Sequence, residues 1–273
     1  MSVVDLTRTY IHDLWELRDK RMDGYPLMSS PWPAIGLCFG YICIVKLIGP
    51  AIMKNREPFQ LKTPMLLYNG FQVVFSLFVV CLGVQAGWFN GYSLRCQPVD
   101  YSNEPKPVLM AFSTYLYFCM KFVEFLDTIF FILRKKDSQV SFLHVAHHAI
   151  MAVYMWPIVR FMPGGHGSLA GLLNSFVHII MYGYYFMAAL GPRFKRFLWW
   201  KRYLTWLQMV QFFVIAIHSV QLLVVEDCGY PWEYAYVVLA LMVFFLTQFA
   251  NFYVQSYLST PRVNGSATMI KED

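Results

Sequence analysis

The 273-residue sequence has few charged residues and no long polar segment. Charged side chains make up 14% of the chain and hydrophobic ones 58%, whereas a soluble domain has roughly 25% charged and 45–50% apolar residues. The low charge excludes a water-exposed globular fold, and the high apolar content excludes disorder. The sequence also has no low-complexity tract and no repeat at a solenoid period, which excludes repeat architectures.

Seven hydrophobic segments are long enough to cross a bilayer, which requires roughly 20 apolar residues. They lie near residues 32–52, 65–86, 112–133, 140–162, 168–190, 203–225 and 232–257. We therefore predict an all-α integral membrane protein with seven transmembrane helices, and the short connections leave no room for a second soluble domain. The prediction divides the chain into a lumenal N-terminal segment (1–31), a seven-helix domain (32–257) and a cytoplasmic tail (258–273). Because the N-terminal segment is polar and unlike a signal peptide, we expect the first span to act as the insertion signal.

The distribution of Lys and Arg predicts the orientation. These residues concentrate in the connections after the first, third and fifth spans, at Lys54, Arg56, Lys62, Arg134, Lys135, Lys136, Arg193, Lys195, Arg196, Lys201 and Arg202. Since short cytoplasmic loops are enriched in Lys and Arg, we expect a lumenal N-terminus and a cytoplasmic C-terminus. The net charge of +6 then reflects topology and not nucleic-acid binding. The glycosylation sequon at Asn264 would lie in the cytoplasm and stay unmodified.

Two of the six cysteines, Cys96 and Cys228, fall in connections on the predicted lumenal side. An oxidising compartment allows such cysteines to pair, so we predict a disulfide between them. The alternative is two unrelated loop thiols. The other four cysteines lie inside predicted spans, where small packing residues are the simplest interpretation.

Polar side chains occur inside four of the predicted spans, where they are costly and face the bundle interior. They are Lys121, Glu124, Asp127 and Thr128 in the third span, His144, His147 and His148 in the fourth, Asn174, His178, Tyr182 and Tyr185 in the fifth, and Lys201, Thr205, Gln208, Gln211 and His218 in the sixth. At about 100° per residue, the polar groups in each span share one helix face. Structural interpretations are an ion pair between helix neighbours, an aromatic core and interhelical hydrogen bonds. The functional interpretation is a chamber in the cytoplasmic half of the membrane for a substrate with an anionic head and a long apolar tail.

The histidine triplet is compatible with two chemistries. Neutral imidazoles bind metals, and an imidazole also serves as a general base or as a nucleophile that carries an acyl group. The chain has only seven histidines, too few for the two-metal site of a histidine-box desaturase or hydroxylase. A single metal bound by the triplet and His178 remains an alternative.

Four motifs in order resemble the very-long-chain fatty acid elongases, the ELO family. They are KFVEFLDT (121–128), HVAHH (144–148), HIIMYGYY (178–185) and TWLQMVQ (205–211), and the similarity extends over nearly the whole chain. The resemblance implies a condensation of malonyl-CoA with a long-chain acyl-CoA in the endoplasmic reticulum membrane, without metal or redox cofactor. It also implies a barrel of six helices around an acyl tunnel, with one further helix at the periphery, and it matches the lumenal disulfide.

The resemblance assigns roles to individual residues. His147 is the implied nucleophile, His144 and His148 are its implied acid-base partners, and His178 is the implied catalytic residue that faces it across the chamber. The implied acyl-CoA contacts are Lys121, Arg134, Lys136, Gln139, His144, Asn174, His178, Lys201, Thr205 and Gln208. We interpret Glu124, Asp127, Tyr182 and Gln211 as structural polar residues. Membrane lipid, the reductases and dehydratase of the elongation cycle and a second copy of the chain are the candidate partners.

The chain departs from the family pattern at three places. Ala146 and Ala152 replace an aromatic residue and a proline, and residues 169–171 replace a stretch containing Phe or His. These changes bear on tunnel shape and chain length and leave the implied catalytic residues intact.

A seven-helix receptor and a lipid transporter would share the predicted topology. A receptor has no evident need for three imidazoles on one buried face. A transporter is expected to show inverted repeats with broken helices, and none are evident in the sequence.

Overall fold

The computed structural model describes residues 3–259, which form helices and connecting segments with no strand among them. The helices are α1 (Val3–Glu16), α2 (Trp32–Cys43), α3 (Gly49–Met53), α4 (Lys62–Ala86), α5 (Pro105–Val123), α6 (Phe125–Leu133), α7 (Phe142–Phe161), α8 (Ser168–Leu190), α9 (Lys201–Val224) and α10 (Glu233–Tyr253). A π-helical turn at Ile44–Ile48 joins α2 to α3, and a second π-helical turn at Val254–Leu258 extends α10. The predicted all-α class is confirmed. Asn264 and the rest of the predicted tail from residue 260 onward lie outside the described residues.

Among the described residues, six helical segments are long and apolar enough to cross a membrane. They are Trp32–Met53, Lys62–Ala86, Phe142–Phe161, Ser168–Leu190, Lys201–Val224 and Glu233–Leu258. Each corresponds to one predicted span. The remaining predicted span, 112–133, is not one continuous helix. It is divided at Glu124 into the end of α5 and the whole of α6. The ψ angle of Glu124 is −17°, flatter than the helical value near −42°, which interrupts the regular turn.

Six helices form a closed ring. Following the contacts around it, α4 packs on α5, α5 on α7, α7 on α10, α10 on α9, α9 on α8, and α8 returns to α4 through the most extensive contact. Helix α2 packs against α7. These contacts describe a ring of six helices with α2 outside it, whereas the predicted count of seven crossings stays a prediction.

The N-terminal segment is attached to one end of the ring. The Asp19 N–H donates to the Arg160 carbonyl oxygen at 2.8 Å, and the Arg160 guanidinium pairs with Asp23. The same guanidinium lies 4.9 Å from the centre of the Trp15 ring. Because Arg160 is buried at the end of α7, these contacts pack the segment against the bundle.

The disulfide lies at the same end of the ring. Cys96, between α4 and α5, is bonded to Cys228, between α9 and α10, so the predicted pairing is confirmed. Arg21 of the N-terminal segment donates to the Ser102 carbonyl oxygen at 2.8 Å, which links that segment to the connection holding Cys96.

Helix α7 begins at a capped position that places the histidines. The Ser141 hydroxyl accepts a hydrogen bond from the His144 N–H at 3.2 Å. Such a side-chain cap satisfies one of the free donors at a helix N-terminus. The cap therefore puts the histidine triplet in the first two turns of α7, at the opposite end from Arg160.

Candidate active site

A buried carboxylate at the junction of α5 and α6 organises the polar interior. Glu124 is fully buried, and its Oε1 accepts a hydrogen bond from Lys121 Nζ at 2.8 Å. The same oxygen lies 3.2 Å from His178 Nδ1, and Oε2 lies 3.8 Å from His148 Nδ1. Because a buried charge is costly unless paired, the carboxylate brings a cation and two imidazoles together.

The Lys121 ammonium has two further partners. It donates to Asn174 Oδ1 at 3.0 Å and lies 4.3 Å from the centre of the Tyr117 ring. Tyr117 also donates its hydroxyl to Asn174 Oδ1 at 2.8 Å. Tyr117 was not among the predicted site residues. The available signal was its position four residues before Lys121, on the same helix face.

The three histidines of α7 lie side by side but contact different partners. His144 Nε2 is 2.9 Å from Thr128 Oγ1, and the rings of His144 and His148 are 4.4 Å apart between centres. The His147 ring is 5.4 Å from that of His148 and packs 5.1 Å from Phe245 of α10. Within residues 3–259, no three His, Cys, Asp or Glu side chains form a group suited to holding a metal ion.

A second carboxylate lies one turn beyond Glu124. Asp127 Oδ2 accepts a hydrogen bond from the Tyr182 hydroxyl at 2.6 Å. The Tyr182 ring, which is fully buried, is 5.5 Å from the His178 ring. The polar faces predicted separately on the third and fifth spans therefore meet. Tyr185, predicted to share this face, is 40% exposed.

A narrow cavity lies inside the ring, and all six ring helices line it. Polar side chains at one end are those of Tyr117, His147, Asn174 and Gln211. The walls are mainly apolar and include Val79, Met151, Met155, Ile158, Phe212, Ile215, Val238, Met242 and Phe245. At the other end the Trp88 indole donates to the Ser168 hydroxyl at 2.9 Å. From His147 to Ile158 the cavity follows eleven residues of α7, about 16 Å at 1.5 Å per residue, so its shape suits an extended apolar chain.

The predicted substrate rim, three basic residues and Gln139, lies at the histidine end of the ring. Arg134, Lys136 and Gln139 occupy the turn between α6 and α7, and Lys201 is the exposed first residue of α9. Their contact with acyl-CoA stays a prediction.

The polar side chains of α9 contact different parts of the molecule. Thr205 is buried, and Gln208 donates to Met181 Sδ at 3.5 Å. Gln211 lines the cavity, and its Oε1 finds no hydrogen-bond partner in the part of the chain that the structure describes. His218, predicted to continue this stripe, instead stacks on His166 at a ring distance of 3.7 Å near the opposite end. The sequence did not reveal this pair because 52 positions separate the two histidines.

Comparison with known proteins relates the chain to one family. Residues 26–264 match the GNS1/SUR4 family, also called ELO. The chain is 49% identical to a very long chain fatty acid elongase of Aedes aegypti over 94% of its own length and 72% of the relative's. It is 48% identical to very long chain fatty acid elongase 7 of Drosophila melanogaster over 92% and 78% of the two lengths. It is 42% identical to very long chain fatty acid elongase 4 of Homo sapiens over 94% and 83%.

Proposed function

Because the chain belongs to the GNS1/SUR4 (ELO) family, we propose that it catalyses the condensing step of very-long-chain fatty acid elongation. Malonyl-CoA and a long-chain acyl-CoA would form a 3-oxoacyl-CoA two carbons longer, with release of CO2 and CoA. The observation that carries the proposal is the position of His147. Its imidazole lines the cavity where the buried polar cluster meets the apolar tunnel, so an acyl chain in the tunnel brings its thioester to this ring.

The first half of the proposed reaction transfers the acyl group to His147. An unprotonated ring nitrogen attacks the thioester carbonyl carbon, the new C–N bond replaces the C–S bond, and the ring proton passes to the departing CoA thiolate. The product is a neutral acyl-imidazole and free CoA. A tunnel that excludes water protects this reactive intermediate from hydrolysis.

The second half forms the new carbon–carbon bond. Malonyl-CoA loses CO2, and the resulting enolate carbon attacks the carbonyl carbon of the acyl-imidazole, so that the new C–C bond replaces the C–N bond to His147. The displaced ring nitrogen takes up one proton, ultimately from solvent, which restores the neutral imidazole. Asn174 lines the same cavity as His147 and accepts a hydrogen bond from Lys121, so we assign these two polar residues to the charge that develops on oxygen. Glu124 contacts Nδ1 of His178, which leaves the other ring nitrogen of His178 available to substrate. Every electron pair in this sequence comes from the substrates and His147, so the reaction needs no redox cofactor. We also propose that polar side chains, and not a metal ion, stabilise the developing charge.

The proposed topology has seven crossings, a lumenal N-terminus and a cytoplasmic C-terminus, in the endoplasmic reticulum. The chain is a multi-pass membrane protein. A bond between Cys96 and Cys228 requires an even number of crossings between them. Helices α7, α8 and α9 supply three, so the α5–α6 segment supports a fourth. Disulfides form in oxidising compartments, which favours the lumen for this end. The reductases and dehydratase that process a 3-oxoacyl-CoA are the proposed neighbours in the membrane.

The test uses purified full-length protein. Incubation with malonyl-CoA and acyl-CoAs is expected to yield 3-oxoacyl-CoA, and acyl-CoA alone is expected to leave an acyl adduct detectable by intact-protein mass spectrometry. His147→Ala should abolish both product and adduct. The matched control, His12→Ala, alters an exposed histidine of α1 and should retain both. Condensation by His147→Ala would refute the covalent route, and absence of product at all chain lengths would leave the receptor and transporter alternatives.

A further inference from the structure

The middle of the tunnel contains a hydroxyl group that the condensation does not use. Tyr154 lines the cavity from α7, and its buried hydroxyl makes no well-formed hydrogen bond among residues 3–259, where the Tyr234 hydroxyl is a polar neighbour. The ring of Tyr234 lies 6.5 Å away between centres, and its hydroxyl is directed to the Gly167 carbonyl oxygen at 3.5 Å. Because a buried hydroxyl without a well-formed hydrogen bond is unfavourable, a ligand that supplies an acceptor at this depth would gain affinity.

The depth of this hydroxyl along the tunnel is defined by α7. Tyr154 follows His147 by seven residues, or about 10 Å along the helix axis. The neighbouring walls include Met151, Met155 and Met242. Methionine side chains are unbranched and polarisable, so they adapt to an irregular ligand. A donor hydroxyl among adaptable side chains suits a bent chain with an electron-rich group better than a straight saturated chain.

We propose that Tyr154 is a specificity-determining residue that selects acyl chains carrying a cis double bond about 10 Å from the thioester. The π electrons of the double bond accept a weak hydrogen bond from the Tyr154 hydroxyl, and a saturated chain of equal length offers no acceptor. This inference rests on the proposed function, because it requires the cavity to hold the acyl tail of the substrate.

The experiment measures binding, so its outcome does not depend on condensation. Thioether analogues of acyl-CoA, which cannot transfer their acyl chain to His147, are titrated calorimetrically into the purified full chain. The series has one chain length and contains the saturated analogue and cis-monounsaturated isomers with the double bond moved along the chain. We expect the isomer that reaches Tyr154 to bind about two- to fivefold more tightly than the saturated analogue.

Tyr154→Phe removes only the hydroxyl and should abolish this preference, so that the saturated analogue and every isomer bind to the variant with equal affinity. The control, Tyr236→Phe, removes the hydroxyl of a tyrosine that is 57% exposed on α10 and should retain the preference. A preference that survives in Tyr154→Phe, or that does not depend on double-bond position, would overturn the proposal. If no analogue binds, the cavity does not hold an acyl chain and the proposal for Tyr154 is overturned. If the analogues bind with the expected preference but the protein forms no 3-oxoacyl-CoA, only the proposed function is contradicted.

Discussion

The buried pair between Lys121 and Glu124 allows a quantitative test of the site. Removing one partner of a buried ion pair typically costs about 3–5 kcal/mol of unfolding free energy, because the other charge stays buried without compensation. In Glu124→Gln the remaining ammonium keeps its hydrogen bond to Asn174 at 3.0 Å and the ring of Tyr117. The substituted amide also retains an acceptor. We therefore expect a loss at the lower end of that range, about 3 kcal/mol.

A second substitution separates stability from activity. In the double variant Lys121→Met and Glu124→Gln, no buried charge of the pair remains, and replacing both charges is often close to neutral. Groups in direct contact couple by about 0.5–3 kcal/mol, so the double variant should regain much of the stability that Glu124→Gln loses. Activity should stay low, because the carboxylate no longer orients His178 and the ammonium is absent.

The assay combines two measurements on each variant. Unfolding in mixed micelles by sodium dodecyl sulfate titration gives the free energy of unfolding, and condensation is followed by 3-oxoacyl-CoA formation. Losses that simply add, within about 0.5 kcal/mol, would refute the coupling between Lys121 and Glu124. Recovery of activity together with stability would show that the pair has only a structural role.

Two further predictions concern the end of the ring that lies opposite the histidines. Replacing Cys96 by Ser opens a loop that spans 132 positions and should lower the unfolding free energy by about 2–5 kcal/mol; reductant should destabilise the parent but not the variant, and equal stability of the two would contradict the assignment. The hydrogen bond from Arg160 lowers the pKa of Asp23, so the folded carboxylate contributes stability above the unfolded value near 3.9 and loses it as the pH falls through the lower folded value. Asp23→Asn should therefore lower the melting temperature at neutral pH by an amount that shrinks in acid, and a difference independent of pH would contradict this role.

Features repeated along a single helix were predictable. His144, His147 and His148 share a face because their spacing follows the helical period, and the structure places them side by side. The Lys121–Glu124 pair is likewise a contact between positions three apart. The interruption at Glu124 was not predictable in this way, because the hydrophobic pattern continues across it and the broken turn coincides with contacts to α7 and α8.

The sequence by itself determined the membrane class, the approximate spans, the polar face of each span and the family. These follow from local hydrophobicity, helical periodicity and motif order, which need no knowledge of neighbouring helices. Only the tertiary structure decided that Tyr182 contacts Asp127, that His218 stacks on His166 and that Tyr154 enters the tunnel. Such contacts depend on the rotation and crossing of packed helices, and many arrangements are compatible with the same apolar pattern. The physical reason is that periodicity defines which face of a helix is polar, whereas packing selects the partner that the face meets.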